Sequence, residues 1–236
     1  MLKILKRLSP IDICAALFVL SQIILFPLIQ LTPGEVSARW SYTAIVLVGV
    51  MALVTFRGRG NTNFIRVGIL FTLVADYFLV LDGEKLLEGV LAFTVVQAAY
   101  FAYTLLIEES RALRIANAAT RVALSLILIV ATFIVLGSDT DALAIASVIY
   151  YANLVLNAVF AFLLGRRARI FAIGLTLFCM CDLCIGLDVL FSSYLASDAL
   201  AFFYSAHLNL PWVFYQPSQT LIALSLWSEM RFHNRA

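Results

Sequence analysis

Apolar stretches close to twenty residues long alternate with short polar breaks along the whole chain. Eight such stretches can be read, over 11–31, 40–56, 64–81, 86–107, 115–136, 142–164, 170–191 and about 199–228. A bilayer core about 30 Å thick needs roughly 20 apolar residues per helix. The pattern therefore predicts an all-α fold, a polytopic transmembrane helix bundle of about eight spans. The last stretch is long and interrupted by Pro211 and Pro217. It reads as a short interfacial helix over 199–209 followed by a spanning helix from near Pro211. The breaks carry turn chemistry: Thr32-Pro33-Gly34-Glu35, the polar run Arg57 to Asn61, Asp82-Gly83-Glu84-Lys85 and Gly137-Ser138-Asp139. None is long enough for a separate soluble domain, so residues 1–236 read as one integral membrane domain. The first stretch lacks a small-residue cleavage site and reads as a retained helix.

Composition strengthens this picture. Hydrophobic residues make up 63% of the 236 and charged residues only 13%, with a mean hydropathy of +1.00. A soluble domain carries about 25% charged residues. A lipid bilayer is the expected surrounding, while a secreted disulfide scaffold and a nucleic-acid binder are excluded. Fourteen basic residues, from Lys3, Lys6 and Arg7 through Arg57, Arg66, Arg114, Arg121 and Arg166 to Arg235, fall at one expected membrane face, against Arg39 and Lys85 at the other. That bias places both termini in the cytoplasm, which an even number of spans also requires. The expected setting is a bacterial cytoplasmic membrane. Arg66, near the start of the third stretch, reads as snorkelling to the headgroups.

The polar residues inside the stretches are more informative. An acid at mid-bilayer costs about 2.5–3.5 kcal/mol on insertion scales, so it is a functional hypothesis by default. Asp76 and Asp182 each lie about 12 residues into their stretches, roughly 18 Å from the edge at 1.5 Å per residue. Gly68, Asp76 and Asp82 have the same spacing as Gly174, Asp182 and Asp188. With four spans between the copies, this suggests two parallel four-helix repeats, 1–110 and 111–236. Asp76 and Asp182 would then face each other across a pseudo-twofold axis along the membrane normal. Gln97 and Tyr100 share one face of the fourth stretch, Tyr150, Asn153 and Asn157 form a stripe on the sixth, and Tyr215 and Gln219 lie a turn apart on the last. Their structural reading is interhelical hydrogen bonding. Asp188 sits near the outer interface, where solvation or capping competes with a site role.

The inventory limits the chemistry. His207 and His233 are the two histidines, too few for a three-His zinc site, and His207 reads as interfacial. Cys179, Cys181 and Cys184 crowd Asp182, but helical geometry turns Cys179 and Cys181 about 200° apart. No metal and no cofactor is expected. Two carboxyls brought together in a low-dielectric site cannot both ionise readily, which leaves a proton donor beside an anion. Such a pair suits a reaction through an oxocarbenium ion, and equally proton-coupled transport.

The segments Gly174-Leu-Thr-Leu-Phe-Cys-Met-Cys-Asp182-Leu-Cys-Ile-Gly-Leu-Asp188 and Tyr215-Gln-Pro-Ser-Gln219-Thr-Leu-Ile-Ala-Leu-Ser225 resemble the YhhN-like lysoplasmalogenase family of eight-span membrane proteins. Ala75-Asp76 takes the place of that family's Gly-Asp pair, and Gly89-x3-Phe93-x3-Gln97-x2-Tyr100 is similar to its Gly-x3-Phe-x3-His-x2-Tyr segment. Ala75, Cys181 and Gln97 depart from the family's usual Gly, Ser and His, and the stretch from Phe191 to Pro211 is longer than usual. The resemblance implies a lysophospholipid substrate, a lysoplasmalogen, whose vinyl ether is hydrolysed to a fatty aldehyde and a glycerophospho-alcohol without a cofactor. Asp76 and Asp182 would be the catalytic pair, with Gln97, Tyr100, Tyr150, Asn153, Asp188, Tyr215 and Gln219 around the substrate. Two other expectations stand beside it. One is a proton-coupled carrier of a lipid or small amphiphile. The other is a non-catalytic lipid-binding member, which Gln97 in place of His keeps open.

Overall fold

The computed structural model describes residues 9–56, 60–190 and 209–233. The described residues form eight long helices: α1 (Pro10–Leu31), α2 (Gly34–Val54), α3 (Asn63–Asp76), α4 (Leu86–Ile107), α5 (Arg111–Leu136), α6 (Ala142–Leu163), α7 (Arg169–Leu190) and α8 (Leu210–His233). Seven of the helical stretches are long and apolar enough to cross a membrane by length and composition. The eighth, α8, is 24 residues long and dilutes its apolar content with Gln216, Ser218 and Gln219, all buried within the bundle. The chain is thus a helical membrane bundle. The expected interfacial helix over 199–209, apart from Asn209, and His207 lie outside the described residues.

Local chemistry sets the helix starts. Ser9 and Asp12 form a capping box at the head of α1, with Pro10 at its first turn. Ser110 Oγ accepts from Leu113 N at 3.3 Å and Asp141 Oδ1 from Ala144 N at 2.7 Å, which opens α5 and α6. The α2 helix begins at Gly34, earlier than its apolar run suggests, because Ser37 can donate back to Ile29 O at 2.8 Å and needs no apolar side chain there. α3 does not run as a regular helix to its end. After Asp76 it widens into a π-turn over Tyr77–Asp82 and stops at Gly83, whose φ of 72° is left-handed. The widening swings Leu79 onto Gly89 of α4, where an added Cβ would meet Leu79 Cγ at 2.5 Å.

Neighbouring helices run antiparallel, and the packing of the first four recurs in the last four. α1–α2, α2–α3 and α3–α4 are matched by α5–α6, α6–α7 and α7–α8, while α8 packs on α2 as α4 packs on α6. Gly68 of α3 sits under Tyr100 of α4, and Gly174 of α7 sits under Ile222 and the Ser218 carbonyl of α8. Both glycines let two helices approach closely, the usual membrane packing device. The apolar core draws on every helix except α5. α5 faces outward with Leu126, Ile127, Val130, Ile134 and Val135 exposed, as a lipid-contacting helix does. Asp12 accepts from Trp227 Nε1 at 3.0 Å and ties the start of α1 to α8.

Two basic residues depart from the expected interfacial placement. Arg66 does not snorkel. It is 4% exposed, and donates to the carbonyls of Ala52 and Thr55 and to the Thr62 and Asn63 side chains. A buried guanidinium satisfies the end of α2, whose last carbonyls have no helical partners. Arg121 is likewise buried, ten residues into α5, and belongs to the interior described below.

The close approaches give a direct test. An added methyl at Gly68 would meet Tyr100 Cε1 at 2.2 Å, whereas nothing lies within 4 Å of one at Gly186. Overpacking costs about 1–3 kcal/mol. Gly68→Ala is expected to lower the thermal unfolding midpoint in detergent by several degrees, and Gly186→Ala to leave it in place.

Candidate active site

Asp76 closes the regular part of α3, and Asp182 lies at the corresponding place in α7, each thirteen residues beyond the first residue of its helix. Asp76 is 2% exposed; Asp182 is half-buried. Each is held by a tyrosine from another helix. Tyr215 of α8 donates from its hydroxyl to Asp76 Oδ2 at 2.6 Å, and Tyr150 of α6 donates to Asp182 Oδ2 at 2.5 Å. Both distances lie at the short end of the O–H···O range.

An aromatic cluster joins the two pairs. Phe93 of α4 lies 5.5 Å from the Tyr150 ring and 6.5 Å from the Tyr215 ring, centroid to centroid. Phe178 of α7 lies 6.4 Å and 5.2 Å from the same two rings. Trp212 meets Tyr215 edge-on at 5.1 Å. Most contacts are edge-to-face, the geometry favoured by ring quadrupoles. The result is two carboxyls held by phenols within a largely apolar, aromatic cluster.

Toward the end of the bundle where α1 begins and α8 ends, a second polar system lies beyond this cluster. Gln97 and Asn157 are fully buried. Asn157 Nδ2 donates to Gln97 Oε1 at 2.9 Å and to Gln97 O at 3.0 Å. Asn157 Oδ1 in turn accepts from Arg121 at 2.7 Å. Arg121 also donates to Asn117 Oδ1 and Asn153 Oδ1, both at 2.9 Å, and its guanidinium stacks 4.1 Å over Phe101. A relay therefore runs from Arg121 through Asn157 to Gln97. It fixes the carboxamide of Gln97 with Oε1 toward Asn157, leaving buried Nε2 without a partner among the described residues. Tyr100 Oη and both amide atoms of Gln219 are buried and unpartnered in the same sense. Buried polar atoms of that kind are sites for water or ligand.

The expected site residues therefore divide. Asp76, Asp182, Tyr150 and Tyr215 come together directly. Gln97 and Gln219 lie one turn along their helices from Phe93 and Tyr215, and Tyr100 two turns from Phe93, all three buried with polar atoms that lack a partner among the described residues. Asn153 is engaged as a partner of Arg121, and Asp188 is exposed near the end of α7; neither reaches the carboxyls. Asp82, its counterpart in spacing, pairs with Lys85 at 3.6 Å. Cys181 and Cys184 are buried on α7 and form no disulfide.

A sequence model of the YhhN family matches residues 36–226. The chain belongs to the YhhN family. The YhhN match spans α2 to α8 and so includes both aspartates and both tyrosines. No curated protein and no solved structure matches the chain.

Arg121 was legible only as one more basic residue near a helix start. Its depth becomes visible once Ser110 is recognised as the cap of α5, because ten residues at 1.5 Å carry it about 15 Å inward. The relay predicts that Arg121→Met leaves three amide side chains without their donor, a loss of about 1–3 kcal/mol for each buried group left unpaired. The thermal midpoint of Arg121→Met is expected to fall well below that of Arg114→Met, a change at an exposed position of the same helix.

Proposed function

We propose that this YhhN protein hydrolyses the vinyl ether of lysoplasmalogens, with Asp76 and Asp182 as the reacting acids. The observation that carries the reading is the pair of carboxyls, four helices apart in sequence, each held by its own tyrosine in one aromatic cluster. One Asp, as the acid, transfers its proton to the β-carbon of the enol ether. The C=C electron pair forms that C–H bond and leaves an oxocarbenium ion on the α-carbon. The second Asp, as carboxylate, faces the cation and accepts a proton from the water that adds to it. The hemiacetal so formed collapses to aldehyde and alcohol as the second Asp gives its proton to the leaving oxygen and the hemiacetal hydroxyl gives its own to the first Asp, which restores both groups. One water is consumed and no electrons are exchanged. The π faces of Phe93 and Phe178 favour the passing cation, and the unpaired polar atoms of Gln97, Tyr100 and Gln219 provide places for the water.

A second reading, a proton-coupled carrier of a lipid or small amphiphile, draws on the recurrence of helix pairs between the two halves, which we read as parallel repeats. Substrate-dependent proton flux in proteoliposomes, with the lipid recovered intact, would select it.

For the hydrolase, purified protein is expected to release long-chain aldehyde from lysoplasmalogen at a rate unaffected by EDTA. Asp76→Asn and Asp182→Asn should each lower that rate at least about 10²-fold, the lower end for lost acid–base catalysis. A normally folded variant with full activity would remove the paired-acid mechanism. Tyr150→Phe and Tyr215→Phe each delete one hydrogen bond to a carboxyl, about 1.5–3 kcal/mol. Losses of roughly tenfold or more in kcat are expected, with folding retained.

A further inference from the structure

Arg121 stands at the head of a directed chain of hydrogen bonds. A guanidinium carries N–H groups and no acceptor, so each partner must turn an oxygen toward it. Asn117, Asn153 and Asn157 do so, each through Oδ1. On Asn153 the direction ends at once, because its Nδ2 donates to Ile149 O of its own helix at 2.8 Å. On Asn157 it is passed on. With Oδ1 committed to Arg121, Nδ2 is the atom left to face α4, where it donates to Gln97 Oε1 at 2.9 Å. Gln97 must therefore present its acceptor to α6 and turn Nε2 away from it. A donor-only side chain on α5 thus sets which way an amide on α4 points.

Nε2 carries its N–H groups into the interior. Gln97 is fully buried, and Nε2 meets no acceptor among the described residues. An unbonded donor is costly in a low-dielectric interior, and the oxygen of a bound small molecule removes that cost. The helix places that oxygen near the carboxyl cluster. Phe93, one turn earlier on α4, packs on the rings of Tyr150 and Tyr215, which hold Asp182 and Asp76. Tyr100, three residues after Gln97 on the same face, leaves its own buried Oη unpartnered among the described residues.

We propose that Gln97 Nε2 holds the oxygen of the water consumed in the reaction, and that Arg121, acting through Asn157, is the positioning residue that keeps Gln97 a donor. This rests on the hydrolase reading. A water held in this way accepts the N–H on one lone pair, gives a proton to the carboxylate and attacks the oxocarbenium carbon through its other lone pair. An inverted Gln97 would instead take one of the water's protons, and the donor that holds its oxygen would be lost.

Asn157→Asp inverts the chain without breaking it. Both carboxylate oxygens accept, so one keeps Arg121 and the other takes Gln97 Nε2. With purified full-length protein, kcat for aldehyde release from lysoplasmalogen is expected to fall about tenfold, the equivalent of one lost hydrogen bond, with KM little changed. Arg121→Lys, still donor-only, should recover most of the rate lost in Arg121→Met. A packing role would instead make the rates follow the thermal midpoints, which should stay higher in Asn157→Asp than in Arg121→Met. A second readout needs neither turnover nor a folded Asp variant. The chain has five glutamines, and with their side-chain amides isotope-labelled in nanodiscs the Gln97 signal is the one absent from Gln97→Met. In wild type its protons should receive magnetisation from water, and in Asn157→Asp that transfer should be lost. No transfer in wild type, or a folded Asn157→Asp with wild-type kcat, would overturn the positioning role and leave the hydrolase standing. A wild-type protein that releases no aldehyde would overturn the hydrolase, and the reacting water with it.

Discussion

In hydrocarbon a carboxyl group has no water to bond, so its partner must come from the protein. The two Tyr–Asp hydrogen bonds meet that requirement here, and much of the bundle's arrangement follows from them. Tyr215 can reach Asp76 only if α8 lies beside α3, and Tyr150 can reach Asp182 only if α6 lies beside α7. The rings that carry these hydroxyls then need apolar neighbours, which Phe93 and Phe178 supply from α4 and α7. One polar constraint therefore places side chains from five helices.

The same rule governs the rest of the interior. Arg121 is a cation inside an apolar span, and it is accommodated by three asparagine carbonyl oxygens and an aromatic face rather than by an acid. Arg66 is accommodated by the open carbonyls at the end of α2. Both are satisfied locally and so hold neighbouring helices in register. Polar atoms of Ser41, Gln97, Tyr100, Thr140, Gln216, Ser218 and Gln219 stay buried without a hydrogen-bond partner among the described residues, and Gln97 and Gln219 lie one turn along their helices from Phe93 and Tyr215 of the carboxyl cluster.

The helical membrane bundle, the short connections and the depth of the two aspartates were legible because each follows from spacing along one chain. Twenty apolar residues specify a span whatever it packs against, and matched positions in two helices give matched depth. The YhhN resemblance rested on motifs local enough to survive the same treatment. The π-turn after Asp76 was not legible, because its apolar residues Tyr77–Leu81 fit a regular helix equally well. Asn153 and Asp188 show the opposite limit. Each shares a helix with a site residue, yet Asn153 turns to Arg121 and Asp188 to the surface, because helix rotation is set by neighbours.

The sequence by itself determined the solvent, the number of helices and the choice of residues worth the cost of burial, since these depend on composition and one-dimensional period. Only the tertiary structure decided which polar groups meet. Tyr215 was visible as a polar residue on a helix, but that it holds Asp76, 139 positions away, depends on how α8 rotates against α3. Arg121, Phe93 and Phe178 join the interior for the same reason. Contact between helices is a matter of packing angle and side-chain fit, and no repeat along a single chain encodes it.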